Sequence, residues 1–486
     1  MIRRDLHTAE QTRFDVVIAG AGVYGITLAL EAARRGLRPA VIDRGDFGGA
    51  TSANSLRILH GGLRYLQKAD LPRFRESVAE RRWFCQHFPD LVQPLACLMP
   101  LYGRGLKRPG IFRAALAIND QLSRHRNRGV ARAVHLPGGG VLGRDETLER
   151  FPAADPAGLK GAGLWYDAVM PASQRVLMEM LHWACSLGAV ALNYVEATEL
   201  LTQRGRAAGI RAVDRLAGRQ LDIRGRVVIN AAGPWCRQVA RALDRDHEPL
   251  FRPSLAFNLL IDREPPSDAA LAVQPPGPAA RVYFLQPWRG RIFVGTSHAP
   301  WADEPDAPEP RATQVAQMLA DLSEAVPGWS LSPDDVLQTC PGLLPAAAPG
   351  TEELAVREVI HDHQARGGPA GLYSVSGVKF TTARRVAEKT LRRAWSAAGG
   401  LPPYQPGSDR PVEPQSIDPI DPAALFSQPR RTLAPLLRRL VQEEAVQSAD
   451  DLLRRRTDWA AHPAYDATEV ARRLDELIDL PAPSAA

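Results

Sequence analysis

The chain has 486 residues, 45% of them hydrophobic and 23% charged, which is enough for two or three domains with sizeable cores. The net charge is +6, but the sequence contains no long basic run and no nucleic-acid-binding motif, so we expect no nucleic-acid partner. This mild excess suits anionic lipid head groups or phosphorylated substrates, and an ordinary solvated basic surface explains it equally well.

The five cysteines are an odd number and none is paired at C-x-x-C spacing. They predict neither a metal site nor a disulfide framework, which fits a reducing compartment. The first residues lack the apolar core of a signal peptide, and no apolar run reaches the length of about 18 residues that a spanning helix needs. We therefore expect a cytoplasmic protein, with peripheral contact at the inner face of the membrane left open.

A strand, a glycine-rich turn and a helix open the chain. Residues 15–19 have the pattern of a buried strand, and G-A-G-V-Y-G follows at residues 20–25, before an alanine-rich helix. A second predicted strand at residues 38–42 ends at Asp43. This order of strand, turn, helix, strand and acidic residue is the fingerprint of a dinucleotide-binding βαβ unit.

Each glycine of this turn has its own physical role. Gly20 allows the tight turn, Gly22 admits a pyrophosphate close to the backbone, and Gly25 lets the helix pack against the strand. The N-terminus of the helix directs its N–H groups toward the phosphates. Asp43 is placed to accept hydrogen bonds from a ribose. The fingerprint alone does not distinguish NAD from FAD.

Two motifs after the second strand help to decide between NAD and FAD. Residues 48–55 read G-G-A-T-S-A-N-S, and residues 60–66 read H-G-G-L-R-Y-L. Together they resemble the FAD-dependent glycerol-3-phosphate dehydrogenase/oxidase family of DAO-type flavoproteins, which reads G-A-T-S-S-x-S and H-G-G-L-R-Y-L at this spacing. The resemblance implies FAD as the cofactor. Small and hydroxylated residues would let the backbone approach a flavin closely.

The middle of the chain gives weaker indications of its structure and function. Residues 66–130 have a mainly helical pattern, in which a basic loop at 103–110 precedes an apolar helix at 111–122. This pair fits a membrane-surface element, and it fits a segment that caps the substrate domain equally well. Between residues 161 and 223, short alternating segments predict strands of an antiparallel meander.

Two later turns also match the family. Residues 230–235 read N-A-A-G-P-W after a buried strand, and residues 377–382 read G-V-K-F-T-T before a helix that begins at Ala383. They resemble the family's N-A-x-G-P-W and G-G-K-L-T-T segments, which implies that both pass close to FAD. The second turn would stabilise the negative N1–C2=O region of a reduced flavin.

The resemblance extends from about residue 14 to about residue 480. It predicts an α/β protein with a Rossmann-like FAD-binding domain, a mixed or antiparallel-sheet substrate domain and a small C-terminal helical domain. The predicted bounds are 14–75, 145–240 and 340–398 for the FAD-binding domain, 76–144 and 241–339 for the substrate domain, 399–422 for a proline-rich linker, and 423–486 for the helical domain.

The predicted cofactor-binding residues all lie in or beside these motifs. They are Gly20, Gly22, Tyr24, Gly25, Asp43, Arg44, Thr51, Ser52, Asn54, Ser55, Gly61, Gly62, Val195, Ala232, Gly233, Trp235, Gly377, Val378, Lys379, Phe380 and Thr381.

Oxidation of an alcohol or amine carbon by a flavin needs a C–H bond directed at flavin N5 and a base for the O–H or N–H proton. The resemblance implies that His60 is the base or a flavin-contact residue and that Arg64 and Lys379 anchor the substrate, with Tyr65 assisting Arg64. Considered alone, His60 would fit a core histidine and Arg64 a structural salt bridge.

The predicted substrate pocket departs from the family. The family's G-x-R-P turn supplies an arginine for the acidic end of the substrate, and residues 342–345 place Leu344 there. Losing such a cation costs about 2–5 kcal/mol of anion binding. The family's K-G-S-H strand corresponds to residues 255–258, which end in Asn258. Its G-T-T-D corresponds to residues 295–298, where His298 is either a new polar contact or a solvated loop histidine.

These features predict an FAD-dependent oxidoreductase that oxidises a C–OH group by hydride transfer to flavin N5. The first candidate substrate is glycerol 3-phosphate, and the alternative is another alcohol or an amine in a specialised biosynthetic pathway. An alternative of another class is a flavin-binding protein without turnover, acting as a membrane-associated partner or sensor. The electron acceptor, quinone or O2, stays open, as do covalent flavin attachment and the oligomeric state.

Overall fold

The structure of the protein, a computed structural model, describes residues 1–103, 105–277, 281–411, 430–457, 459–461 and 468–470, together with Arg472 and Leu474. The strands, in chain order, are β1 Arg13–Ala19, β2 Pro39–Ile42, β3 Ile58–Leu59, β4 Gln93–Leu101, β5 Gly140–Leu142, β6 Gly161–Val169, β7 Val190–Leu192, β8 Val195–Gln203, β9 Arg206–Asp214, β10 Arg219–Asn230, β11 Pro253–Ile261, β12 Ala270–Val273, β13 Tyr283–Trp288, β14 Arg291–Pro300, β15 Val336–Pro345, β16 Val359–Asp362 and β17 Leu372–Ser376.

The helices lie between these strands and at the C-terminal end. They are α1 Leu6–Gln11, α2 Val23–Ala33, α3 Leu63–Gln67, α4 Leu71–His87, α5 Pro109–Leu122, α6 Arg144–Arg150, α7 Ser173–Ser186, α8 Cys236–Leu243, α9 Ala312–Ala325, α10 Ala383–Ala394, α11 Arg430–Glu443 and α12 Ala449–Asp451.

The first sheet has a parallel centre. Its strand order is β16-β17-β10-β1-β2-β7, with β8 and β9 extending from β10. Strand β1 pairs in parallel with both β2 and β10, and four of its seven residues, 16–19, form a continuous buried run. Such a run is typical of a parallel strand covered on both faces. Helix α2 packs against both α7 and α10 beside this sheet.

Strand β10 joins two parts of this sheet. Its first half, residues 219–224, pairs antiparallel with β9, whereas its last residues pair in parallel with β1. The sequence predicts two strands here, at residues 221–223 and 227–231. The structure shows one continuous strand, because the exposed Arg224 and Arg226 interrupt the apolar pattern without interrupting the backbone pairing.

The second sheet is mixed, as expected for the substrate domain. Its order is β15-β11-β14-β13-β12-β4-β6-β3, with β5 beside β6. Strand β6, which the predicted bounds place in the FAD-binding domain, pairs with β4 over nine residues and so belongs to this sheet. Strand β4 lies in a stretch predicted to be mainly helical, although the buried Leu95, Cys97 and Leu101 alternate as strand residues do.

The described C-terminal segment has a small core of its own. That core contains Leu437, Leu440, Val446, Leu452, Leu453, Trp459, Val470 and Leu474. The first part of the predicted linker is bound to α2, where the Tyr404 hydroxyl donates to Glu31 Oε2 at 2.7 Å. Residues 412–422 of the predicted linker, and residues 423–429 and 475–486 of the predicted helical domain, lie outside the described residues.

None of the helices in the described parts of the chain combines the length and the apolar character needed to cross a bilayer.

A buried ionic cluster joins the C-terminal segment to α7. Glu444 accepts hydrogen bonds from Arg175 at 2.7 and 3.1 Å, and His182 Nε2 lies 2.9 Å from the same carboxylate. Burial acts to raise the pKa of Glu444, but the charge of Arg175 and the hydrogen bond from His182 outweigh it and lower that pKa to about 2. The cluster therefore stabilises the folded protein while Glu444 is ionised.

We predict that Glu444→Gln destabilises the protein by about 3–5 kcal/mol at neutral pH, because it removes from a buried cluster the carboxylate that pairs with both Arg175 and Arg456 and leaves Glu179 as the remaining partner of Arg175. Thermal melting of the holoenzyme measures this loss. The lowered pKa gives stabilisation that is present above the ordinary value of 4.5 and is lost toward pH 2, so the difference between wild type and variant should shrink across that window. The control Glu443→Gln changes a partly exposed neighbour and should stay within about 0.5 kcal/mol.

Candidate functional site

The candidate site is a cavity of about 820 Å3 at one edge of the first sheet. Strands β1, β2 and β10 end there side by side, since Ala19 pairs with both Ile42 and Asn230, and Ser374 of β17 pairs with Asn230. The turns that follow these strands therefore converge on one space. The volume lies within the range of about 300–1,000 Å3 that small-molecule pockets occupy.

Most of the predicted site residues line this cavity. They are Gly20, Gly22, Tyr24, Asp43, Arg44, Thr51, Ser52, Asn54, Ser55, His60, Gly62, Tyr65, Val195, Ala232, Gly233, Trp235, Asn258, His298, Leu344, Gly377, Val378, Lys379, Phe380 and Thr381. Of the other predicted residues, all of them described, Gly25 and Gly61 pack behind the wall, and Arg64 is exposed on α3.

The first glycine turn is shaped by contacts that leave no room for side chains. Gly20 has a φ of +103°, and a Cβ added there would lie 2.6 Å from the carbonyl oxygen of Ala231. A Cβ on Gly25 would lie 1.7 Å from the carbonyl oxygen of Gly20. The turn thus presents bare backbone to the cavity at the N-terminus of α2, which is the arrangement that binds a pyrophosphate.

Asp43 is held at the end of β2. Its Oδ2 accepts a hydrogen bond from Ala21 N at 2.7 Å, and its Oδ1 accepts one from Gly45 N at 2.9 Å. Burial raises the pKa of this carboxyl to about 6, against the lowering effect of the two backbone bonds. The carboxylate is therefore fixed beside the glycine turn, where the lone pairs that remain can accept from a ribose.

Residues 51–55 connect the two sheets. The side chains of Thr51 and Asn54 donate to carbonyl groups of β15 at 3.0 and 2.6 Å, and Ser52 Oγ accepts from the first turn of α2 at 3.0 Å. Ser55 Oγ is buried and has no hydrogen-bond partner among the described residues. Three of these predicted cofactor contacts therefore build the wall, and Ser55 alone presents an unsatisfied hydroxyl to a bound molecule.

Tyr24 locks two distant turns together. Its hydroxyl accepts a hydrogen bond from Lys379 N at 3.0 Å and donates one to Lys379 O at 2.8 Å, across 355 residues of chain. A Cβ added to Gly377 would lie 2.1 Å from the Tyr24 ring, so this glycine makes the contact possible. Burial raises the pKa of Tyr24 well above its usual range, which keeps the phenol protonated as a donor.

Lys379 projects from the second turn into the cavity. Its Nζ lies 4.2 Å from the centre of the Tyr65 ring, in cation–π contact. Burial and the nearby charge of Arg64 lower the pKa of Lys379 to about 8, so the amine is charged at neutral pH and loses its charge above pH 8. The sequence predicts that Tyr65 assists Arg64, whereas the structure places the Tyr65 ring against Lys379.

His298 lies on strand β14, paired with Ala256, so the expectation of a loop histidine is wrong. Burial lowers its pKa to about 4, and the charges of Arg281 and Arg64 act in the same direction. The ring is therefore neutral at physiological pH. Its Nδ1 is buried without a partner among the described residues, and the residue lines the cavity.

Asn258 has a supporting position. Its Nδ2 donates to Asn54 O at 2.8 Å, and its Oδ1 accepts from Thr296 Oγ1 at 2.8 Å. Both ends of the amide are thus engaged by protein groups. Asn258 holds the turn at residues 51–55 against β14. Of Asn258 and His298, only His298 has a ring nitrogen without a hydrogen-bond partner among the described residues.

His60 also lines the cavity. Its side chain is 45% exposed, and its Nδ1 is 3.1 Å from Asp167 Oδ2. The ring of Phe284 packs against it at 4.9 Å. Asp167 is not among the predicted site residues, although a single carboxylate in the otherwise apolar strand β6 is a signal that sequence inspection could have used.

The opposite end of the cavity is closed by side chains around Trp235. The guanidinium of Arg44 lies 4.3 Å from the centre of the Trp235 ring. Both side chains bond to the carboxylate of Asp306, which reaches them from the loop at residues 301–311. Val195 N donates to the carbonyl of Asp43 at 2.7 Å and completes this wall.

The C-terminal segment also reaches the cavity, which no sequence motif indicated. Asp451 and Arg455 line it, together with Tyr194. The Tyr194 hydroxyl donates to Asp451 Oδ1 at 2.5 Å, and Arg455 Nη2 donates to the carbonyl of Gly49 at 3.2 Å. Within the described ranges, no group of His, Cys, Asp and Glu side chains has the geometry of a metal site.

Comparison with known proteins agrees with this geometry. Residues 15–391 match the family of FAD-dependent oxidoreductases called DAO, so the chain belongs to that family. The open glycine backbone, the fixed Asp43 and the unsatisfied Ser55 hydroxyl fit FAD, which is the family's cofactor. The α/β fold class, the FAD cofactor and the family resemblance predicted from the sequence are thereby confirmed.

Individual named proteins are also similar to this chain. The chain is 27% identical over 426 residues to a glycerol-3-phosphate dehydrogenase of Synechocystis sp., covering 84% of this chain and 75% of that protein. It is 28% identical over 452 residues to the mitochondrial glycerol-3-phosphate dehydrogenase of Bos taurus, covering 90% of this chain and 58% of that one. Its fold resembles glycerol-3-phosphate dehydrogenase from Bacillus halodurans complexed with FAD, with a TM-score of 0.69, 21% identity and 97% and 95% coverage.

We predict that Tyr24→Phe weakens FAD binding about five- to hundredfold, because two hydrogen bonds that fix the second turn are worth about 1–3 kcal/mol together. Titration of the apoprotein with FAD, followed by flavin fluorescence, measures the change. Tyr404→Phe is the matched control, since it removes a hydroxyl that bonds to Glu31 outside the cavity. Equal FAD affinity in the Tyr24 variant and wild type would contradict this role for the phenol.

Proposed function

We propose that this FAD-dependent oxidoreductase oxidises a C–OH group of a small anionic substrate, and that glycerol 3-phosphate is the first candidate. The observation that carries the proposal is that His60 and Lys379 line the same cavity as the glycine turn and Asp43. A base and a cation in one cavity suit a hydroxyl-bearing anion. The names of the curated relatives support the choice of substrate.

Each protein group has a separate role in this proposal. Bound FAD supplies the two-electron acceptor. His60 accepts the hydroxyl proton, and the charged amine of Lys379 binds the anionic end of the substrate. Arg64 does not line the cavity, but it lowers the pKa of both Lys379 and His298, so it lies close enough to add to the positive potential there. The neutral His298 ring offers a hydrogen bond to a further oxygen.

Leu344 shapes the other wall of the pocket. It lies on β15 and lines the cavity together with the apolar Phe251, Ala256 and Leu354. This wall offers no cation to a phosphate, so anion binding depends on the side of Lys379 and Arg64. An apolar alcohol or an amine would fit the same wall and remains the alternative substrate class.

The electron acceptor, quinone or O2, stays a prediction.

The structure also supports peripheral contact with a membrane. Helix α5 exposes Ile111 and Ile118, which are 43% and 55% exposed, close to the exposed Arg113 and Arg124. Apolar side chains bordered by arginines are typical of helices that lie on anionic lipid surfaces.

A substrate screen under anaerobic conditions tests the function. Mixing the purified yellow holoenzyme with glycerol 3-phosphate should bleach the visible absorption of the flavin, since oxidation of the substrate reduces FAD. Glycerol, other alcohols and amines are compared at equal concentration. Bleaching by an amine or an apolar alcohol but not by the phosphate ester would select the alternative substrate class. A flavin that none of them bleaches would refute the proposal.

We predict that Leu344→Arg lowers the KM for glycerol 3-phosphate at least tenfold, because a buried guanidinium adds about 2–5 kcal/mol of anion binding. Steady-state kinetics with an artificial acceptor measure the change. The control Leu344→Gln places a neutral polar group of similar length there and should give no such gain, and neither variant should improve activity on uncharged glycerol. An unchanged KM in the arginine variant would show that the substrate's anion does not reach β15.

A further inference from the structure

We propose that Asp167 is a positioning residue, which holds His60 in the tautomer that leaves Nε2 free to accept the substrate proton. This inference rests on the proposed role of His60 as the base. It adds a residue that neither the motifs nor the comparisons assign. Asp167 lies on β6 of the second sheet, behind the histidine as seen from the cavity.

The geometry around His60 defines which ring nitrogen carries the proton. Nδ1 lies 3.1 Å from Asp167 Oδ2, and the ring packs against Phe284 on one side. An ionised carboxylate can only accept hydrogen bonds, so in this contact Nδ1 must donate. A neutral His60 therefore carries its proton on Nδ1 and keeps the lone pair on Nε2.

The carboxylate of Asp167 is itself fixed and ionised. Oδ1 accepts from Arg81 at 2.5 Å and from Gly61 N at 2.7 Å, while Oδ2 also meets Trp165 Nε1 at 3.4 Å. Burial acts to raise the pKa of Asp167, but the hydrogen bond from His60 and the charge of Arg81 outweigh it and lower that pKa to about 2. The acceptor keeps its charge throughout the working range of pH.

The position of the Arg81 side chain requires a glycine at residue 61, directly after His60. A Cβ added to Gly61 would lie 2.2 Å from Arg81 Nη1, so any side chain would displace the guanidinium from Asp167. Arg81 is 4% exposed and also donates to Tyr166 O at 2.9 Å. The glycine, the arginine and the aspartate thus form one unit whose free end is the histidine ring.

The arrangement of Asp167 and His60 predicts how the hydroxyl proton of the substrate moves. The substrate O–H bond breaks as the Nε2–H bond forms, and the positive charge that develops on the ring is stabilised by the carboxylate at Nδ1. Without that carboxylate, the ring can rotate or take the other tautomer, and the lone pair no longer points at the substrate. An amide in its place can donate to Nδ1 and so favour the unproductive form, as in other histidine–aspartate pairs.

The test is a direct measurement of the tautomer in holoenzyme labelled with 15N-histidine, at mildly alkaline pH where an imidazole is neutral. The His60 signals are assigned by their loss in His60→Gln. We expect the Nδ1–H form in wild type and loss of this preference in Asp167→Asn. A wild-type ring protonated on Nε2 would overturn the proposal without any further variant.

Kinetics supply a second measurement. Asp167→Asn should slow flavin reduction by about a hundredfold or more, with a smaller change in KM and an unchanged ratio of bound FAD to protein. Asp167→Glu, which keeps the charge, should recover part of the rate and the Nδ1–H tautomer. Asp145→Asn, at a fully exposed carboxylate, is the control and should match wild type.

The two proposals fail in different ways. If no substrate reduces the flavin but the tautomer follows Asp167, then the positioning unit is present and the proposed reaction is wrong. If wild type turns over and Asp167→Asn keeps both its rate and its tautomer, then Asp167 has only a structural role and this inference is refuted.

Discussion

The hydrogen bonds between the Tyr24 phenol and the backbone of Lys379 are the contacts on which the site depends most. They join the first turn of the chain to a turn that follows its last parallel strand. Because Gly377 has no side chain, the phenol ring can occupy the space beside it. The glycine turn and the turn that carries Lys379 are thereby fixed relative to each other.

The ionisable side chains in and beside the cavity are in different charge states. Lys379 is charged at neutral pH, His298 is neutral, and Asp167 is ionised behind His60. Burial favours the neutral form of both cationic groups, while Arg81 and His60 keep the aspartate charged. The charge state of each of these three groups is thus determined by its immediate neighbours and its own burial.

Sequence inspection predicted the parts of this site that are contiguous in the chain. The glycine turn, Asp43, residues 51–55 and the turn at 377–382 all carry their signal within a few residues, and all line the cavity. Asp167, Arg81 and Arg455 lie outside these motifs and reach the site through pairing and packing between distant elements. Of the three, Asp167 had one local signal, as the single carboxylate of an apolar strand. For His298 the sequence left open a new polar contact or a solvated loop histidine, and cross-strand pairing with β11 places it in a strand.

The loop at residues 301–311 has a consequence for cofactor exchange. Asp306 crosses from the second sheet to Arg44 and Trp235, and Glu304 reaches Gln238 beside them. A dinucleotide that leaves by this end must first separate Arg44 from Asp306, both of which are partly exposed to solvent. Dissolved ions screen such a pair, so for a dinucleotide that takes this route, dissociation would become faster as ionic strength rises.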